Sequence, residues 1–175
     1  MGYNIMLIDR KERFKNCLEF DKWYNKTTEW KENVDYNDYC HATKNLQSFY
    51  LEIIGVIKPM NGKYAPSIEE QNNTDIIIAD YCISKEAIYM DIAYSDITNV
   101  FDNIVSLAKK HNLALFDISS NCILIYNDGS YMQINDMFYE NFKGMNFDAC
   151  TVVGNCLMIS RECIEKTGYL DEIYG

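Results

Sequence analysis

Asp75-Ile76-Ile77-Ile78-Ala79-Asp80-Tyr81-Cys82-Ile83-Ser84-Lys85-Glu86-Ala87-Ile88-Tyr89-Met90-Asp91-Ile92-Ala93-Tyr94 is the stretch that decides the fold. Two runs rich in Ile, Tyr and Ala, Asp75 to Ser84 and Ala87 to Tyr94, flank the charged pair Lys85-Glu86. That pattern predicts a β-hairpin. In the second strand the period of two puts Ile88, Met90 and Ile92 on one face. Tyr89, Asp91 and Ala93 take the other face, so Asp91 points away from the isoleucines.

Reading toward the C-terminus, Ser95 is the predicted N-cap of a helix from Asp96 to His111. Its apolar stripe is Ile97, Val100, Phe101, Ile104, Leu107 and Ala108. Lys109, Lys110 and His111 gather where the helix dipole favours cations, and Asn112 suits a left-handed exit. Strands follow at Leu113 to Ile118 and Cys122 to Tyr126, with a turn at Asp128-Gly129.

Toward the N-terminus, Glu69 to Thr74 reads as polar loop. The segment from Lys58 to Pro66 holds both prolines of the chain and an Asn-Gly pair, so it too reads as loop. Before it, Leu46, Phe49, Tyr50, Ile53, Ile54 and Ile57 follow helical spacing, with Thr43 as N-cap and Pro59 as the stop. Helical spacing also runs from Phe14 to Trp30, through Leu18, Phe20, Trp23 and Tyr24. Tyr3 to Ile8 is a strand. The order strand-helix-helix-strand-strand-helix-strand-strand predicts an α+β fold: a mainly antiparallel sheet with helices packed on one face. Residues 1–134 are expected to form this core domain. Residues 135–175 are read as a C-terminal strand-helix appendage, Ala149 to Ser160 and then Arg161 to Thr167.

A chain of 175 residues is long enough for one full core. The formal net charge of −10 argues against free nucleic acid as a ligand, because phosphate binding needs a basic footprint; it suits a basic protein partner, or simply keeps the chain soluble, which is the plainer reading. No apolar run reaches the length of a membrane span, and the first ten residues lack the form of a secretory signal. The seven cysteines are odd in number and never spaced C-x-x-C, and only His41 and His111 offer imidazole. Structural zinc is therefore not expected, no cofactor is expected, and reduced thiols in a cytoplasm are.

Catalysis requires convergent groups. Asp80, Asp91, Asp96 and Asp117 fall near strand ends, where solvated carboxylates are the plainer reading. Cys40 and His41 are adjacent in sequence, which rarely lets two side chains face each other. No P-loop, G-x-S-x-G or H-E-x-x-H occurs. Interaction is better represented. Trp30, Glu32, Asp35, Tyr36, Asp38 and Tyr39 combine aromatic anchors with carboxylates, the composition that meets a basic partner. The alternative is that this loop folds back on its own protein. The loop from Pro59 to Pro66 is a second, weaker candidate.

Several pieces together resemble a family of short bacterial proteins of unassigned biochemistry. They are Tyr3-Asn4-Ile5, Trp23-Tyr24, Thr28-Glu29-Trp30, Asp35-Tyr36, Pro59-Met60-Asn61-Gly62 through Ala65-Pro66, and Asp80-Tyr81. Leu107-Ala108-Lys109-Lys110-His111-Asn112, Phe116-Asp117-Ile118-Ser119 and Asp128-Gly129 complete the set. Proteins of that kind are found among candidate immunity proteins of bacterial toxin systems. The resemblance, over residues 1–134, implies a non-catalytic partner-binding role against a basic toxin domain. Separately, Val153 to Glu162 and Gly168-Tyr169-Leu170-Asp171-Glu172 are similar to a piece of family 2 glycosyltransferases. The acidic pair expected after that piece is missing, and no Asp-x-Asp occurs, so an inactive or truncated fragment is what this second resemblance implies. An enzyme with an unrecognised site is the third reading. A deep pocket joining Asp80, Asp91 and a tyrosine would speak for it.

Overall fold

The computed structural model describes residues 2–71, 75–120 and 122–134. The expected appendage lies outside the described residues. Among the described residues, seven strands form one sheet: β1 (Gly2–Ile8), β2 (Lys58–Pro59), β3 (Ile78–Ile83), β4 (Ala87–Ala93), β5 (Ala114–Asp117), β6 (Ile123–Ile125) and β7 (Tyr131–Gln133). Their order is β2-β3-β4-β1-β5-β6-β7. Only β2 and β3 run parallel; every other neighbouring pair is antiparallel. In the same described residues four α-helices accompany the sheet: α1 (Cys17–Thr27), α2 (Lys44–Ile53), α3 (Ile68–Gln71) and α4 (Ile97–Lys110). The fold is α+β, and among the described residues no helix is long and apolar enough to cross a membrane.

Central β1 explains the layering. Ile5, Met6, Leu7 and Ile8 are all buried, which a strand with one wet face would not allow. Tyr3, Ile5 and Leu7 pack with Leu46, Phe49 and Ile53 of α2 and with Val100 and Ile104 of α4. Met6 and Ile8 pack on the other side with Phe14, Phe20 and Phe116. The expectation of helices on one face thus describes α2 and α4, whereas α1 covers the opposite face. The continuous Ile-Met-Leu-Ile run is the sequence signal for that second layer.

Local corrections follow from caps and turns. Asp96, not Ser95, is the N-cap of α4; the Ser95 hydroxyl donates to Asp96 Oδ1 at 3.1 Å, and no side chain caps the helix. Asn112 takes the left-handed exit with φ 56°. Thr43 caps α2, accepting from the Leu46 N–H at 3.4 Å. The α2 helix ends at Ile53, ahead of Gly55, so Pro59 is not its stop but part of β2. The supposed loop at 69–74 begins with the short α3. The helical reading from Phe14 to Trp30 shrinks to α1, because Asn16 caps it, accepting from the Glu19 N–H at 2.9 Å, and Trp30 turns out of helical geometry with φ 52°.

Candidate functional site

The hairpin closes with Ile83 opposite Ile88, and counting outward sets Asp80 directly opposite Asp91. Both carboxylates are exposed and lie on the α1 face, the side shared with Tyr89 and Cys82. Like charges directly opposite on neighbouring strands repel. The structure relieves that by splaying them. Asp80 Oδ1 accepts from Asn61 Nδ2 at 3.3 Å, on the β2 side. Asp91 leans the other way, over β1, and its Oδ1 fills the place that a Cβ on Gly2 would take. The absence of a side chain at Gly2 is what makes this lean possible.

Between and beside the two carboxylates lies an open hollow of about 320 Å³, walled by Tyr24, Thr28, Trp30, Cys82 and Tyr89. Trp30 reaches it because its left-handed backbone turns the chain just after α1, and its ring meets the edges of Tyr36 at 5.4 Å and Tyr89 at 6.0 Å. Burial raises the pKa of Tyr24 and Tyr89. Burial, then the charge of Asp80, pushes the Cys82 thiol up to about 11. That thiol stays protonated near neutral pH and is a poor nucleophile. The hollow offers acceptors and aromatic faces, the pairing that holds a cationic group.

Of the expected interaction residues, Trp30 lines the hollow; the others serve mainly to fold the loop onto its own protein. Tyr36 Oη accepts from the Glu32 N–H at 2.8 Å, and Glu32 Oε2 accepts from the Lys85 N–H at 3.2 Å. The Tyr36 carbonyl accepts from the Ile83 N–H at 2.9 Å. Asp35 is exposed and accepts from the Asn37 N–H at 3.0 Å. Asp38 caps a 3-10 turn at Tyr39–His41, and hydrogen bonds from Cys40 hold its carboxyl below the usual range. Tyr39 stacks on Tyr50 at 5.3 Å, on the α2 side. Trp30, Glu32 and Tyr36 thus touch one another, whereas Tyr39 turns to Tyr50.

The other expected carboxylates stay apart from the pair. Asp117 sits opposite Ile5, is buried, and accepts the Tyr3 hydroxyl at 2.8 and 2.9 Å. Asp96 opens α4. His41 Nε2 lies 3.0 Å from the Ile83 carbonyl. Among the described residues no three His, Cys, Asp or Glu side chains gather as a metal site requires. Sequence reasoning missed the direct opposition of Asp80 and Asp91. It was within reach: they are equidistant from the Lys85-Glu86 turn. Comparison with known proteins finds no match to this chain among family models, curated proteins or solved structures.

Proposed function

We propose that this is a partner-binding protein that receives a cationic side chain of a basic protein in the hollow beside Asp80 and Asp91. One observation carries the reading. Two carboxylates stand opposite each other at an aromatic-walled hollow, an arrangement unfavourable to the free sheet and favourable once a cation lies between them. The net charge of −10 would speed capture of such a partner. A toxin-neutralising role in the cytoplasm is the form suggested by the family resemblance. The test is co-expression with the product of the adjacent upstream gene, followed by purification and titration. Wild type is expected to bind in a salt-sensitive manner, and Asp80→Asn/Asp91→Asn is expected to weaken binding by about tenfold or more. Equal affinity of wild type and the double variant would refute the reading.

A second reading, an enzyme using Asp80 and Asp91 for acid–base work, is favoured by the same hollow, since it joins both carboxylates to Tyr89. It predicts turnover that either single Asn variant abolishes. The glycosyltransferase reading rests on residues 153–172, outside the described residues.

A further inference from the structure

Asn61-Gly62 is the one Asn-Gly pair of the chain. It lies just past the two-residue edge strand β2, and both residues are exposed. The turn needs glycine at 62 on two counts. Its φ is 86°, and a Cβ there would stand 3.0 Å from the Asn37 carbonyl oxygen. A residue without a side chain meets both demands. The Gly62 carbonyl accepts from the Ala65 N–H at 3.2 Å, whereas among the described residues the Gly62 N–H donates to no acceptor. The turn therefore sets an unshielded and unengaged amide nitrogen next to Asn61. From the other end, Asn61 Nδ2 donates to Asp80 Oδ1 at 3.3 Å, and among the described residues this long bond is the only one its side-chain amide makes.

Asparagine is a heat-labile side chain, and a nucleophile on the next residue makes it more so, because attack within one chain is unimolecular. We propose that Asn61 is a deamidation site, whose conversion removes the donor to Asp80 and puts a third carboxylate beside the Asp80–Asp91 pair. The Gly62 nitrogen attacks Asn61 Cγ. A C–N bond forms, the bond from Cγ to Nδ2 breaks, and ammonia leaves with the Gly62 amide proton. Water then opens the five-membered succinimide, at its side-chain carbonyl to leave aspartate or at its main-chain carbonyl to leave isoaspartate. The sum is water in and ammonia out, with no oxidant or reductant. In aspartate, an oxygen replaces the nitrogen that now bonds Asp80, so attraction becomes repulsion. Isoaspartate also lengthens the main chain by one methylene just past Met60, whose N–H donates to the Ala79 carbonyl at 2.8 Å and holds β2 to β3. The covalent change needs no partner; its bearing on capture rests on the reading of the Asp80–Asp91 hollow as a cation site.

The test incubates the full chain at mildly alkaline pH beside a synthetic peptide of residues 58–66. Peptide mass spectrometry and isoaspartyl methyltransferase labelling follow Asn61 in both. Conversion is expected at Asn61 ahead of every other asparagine, about tenfold slower than in the peptide because the amide must first leave the Asp80 carboxylate. Asp80→Ala should bring the rate close to that of the peptide. Asn61→Gln should abolish isoaspartate at this position, since its ring would have to be six-membered. Conversion of Asn61 no faster than that of the other asparagines would overturn the site. For the link to Asp80, Asn61→Asp should melt below Asn61→Ala at low salt and level with it in about 1 M salt, where exposed charges are screened. Equal melting of the two at low salt would overturn that link. An unreactive Asn61 would leave cation capture standing, and a failure of Asp80→Asn/Asp91→Asn to weaken capture would leave the deamidation standing, so the two failures are distinct.

Discussion

Replacing either carboxylate of the Asp80–Asp91 pair with asparagine is expected to stabilise the free protein while weakening its grip on a partner. The two side chains start from directly opposed backbone positions. They lean apart, toward Asn61 and over Gly2. Two unit charges about 6 Å apart in a water-like medium repel by about 0.7 kcal/mol. Like charges opposed across strands fall in the range of about 0.2–1 kcal/mol. Asp80→Asn and Asp91→Asn should therefore each raise stability by about 0.5 kcal/mol, or about 1–2 °C in Tm for a chain of this size. The double variant should add little more, because either single change already removes the repulsion. Urea unfolding of all four proteins at low salt measures the coupling. Repeating it in 1 M salt, where the Debye length is about 3 Å, should cut the coupling to about a seventh. Gly2→Ala is the complementary perturbation. Its methyl would displace the Asp91 carboxylate back toward Asp80. Its effect on stability should improve when Asp80 is already Asn. Loss of stability in Asp91→Asn at low salt, or a coupling that ignores salt, would refute the electrostatic account of this hollow.

Phe20→Ala should cost about 3–5 kcal/mol by urea unfolding, because the ring is fully buried and packs on Phe14, Tyr24 and Phe116. Tyr3→Phe should cost about 1–3 kcal/mol, since it removes the hydroxyl whose one proton is shared between the two oxygens of buried Asp117 and leaves the Ser120 N–H at 3.2 Å. Tyr3 itself is pushed up to about 12, by burial first and then by Asp117. The folded state thus keeps a proton that the unfolded state loses above the ordinary value of 10.0, and wild-type stability should fall between those values while Tyr3→Phe lacks that fall. Glu52 is lowered by the hydrogen bond from Lys110, aided by the charges of Lys110 and His111. Glu52→Gln should lower Tm slightly above the ordinary glutamate value of 4.5, and the gap to wild type should close as pH drops through the lower folded value.

The hairpin, α4 with its left-handed exit, and the Thr43 cap were legible in the sequence because each depends on near neighbours. Period-two alternation, helical stripes and side-chain caps are local properties. What was not legible depended on layers. Nothing local to Cys17–Thr27 says on which face of the sheet that helix packs; only the run Ile5 to Ile8, apolar at consecutive positions, carries that information. The interaction loop is a related case. Composition marked Trp30 to Tyr39 as sticky, yet a sticky segment satisfies itself when its own fold offers partners. Tyr39 found Tyr50, and Glu32 found the Lys85 amide. Trp30 remained at a groove because its positive φ turns it away from the path of α1.

Unequal cover of the two faces explains why a groove exists where it does. A sheet of seven strands is about 29 Å across at 4.8 Å per strand gap, and a helix is about 10 Å wide. Two helices, α2 and α4, serve one face, and their contacts include Tyr3, Ile5, Leu7, Tyr81, Ile83, Met90 and Ile92. Among the described residues the other face has α1 as its one helix, at 11 residues or about 16 Å long. It shields Met6, Ile8 and Phe116 and stops at Thr27, so the β3–β4 side of that face is left with Asp80, Cys82, Tyr89 and Asp91. Evolution could have filled that strip with a longer helix or made it uniformly polar. The strip instead pairs opposed carboxylates with tyrosine and tryptophan rings. In the free protein that choice gives up stability to like-charge repulsion, which is the physical reason to look for a cationic partner there before anywhere else.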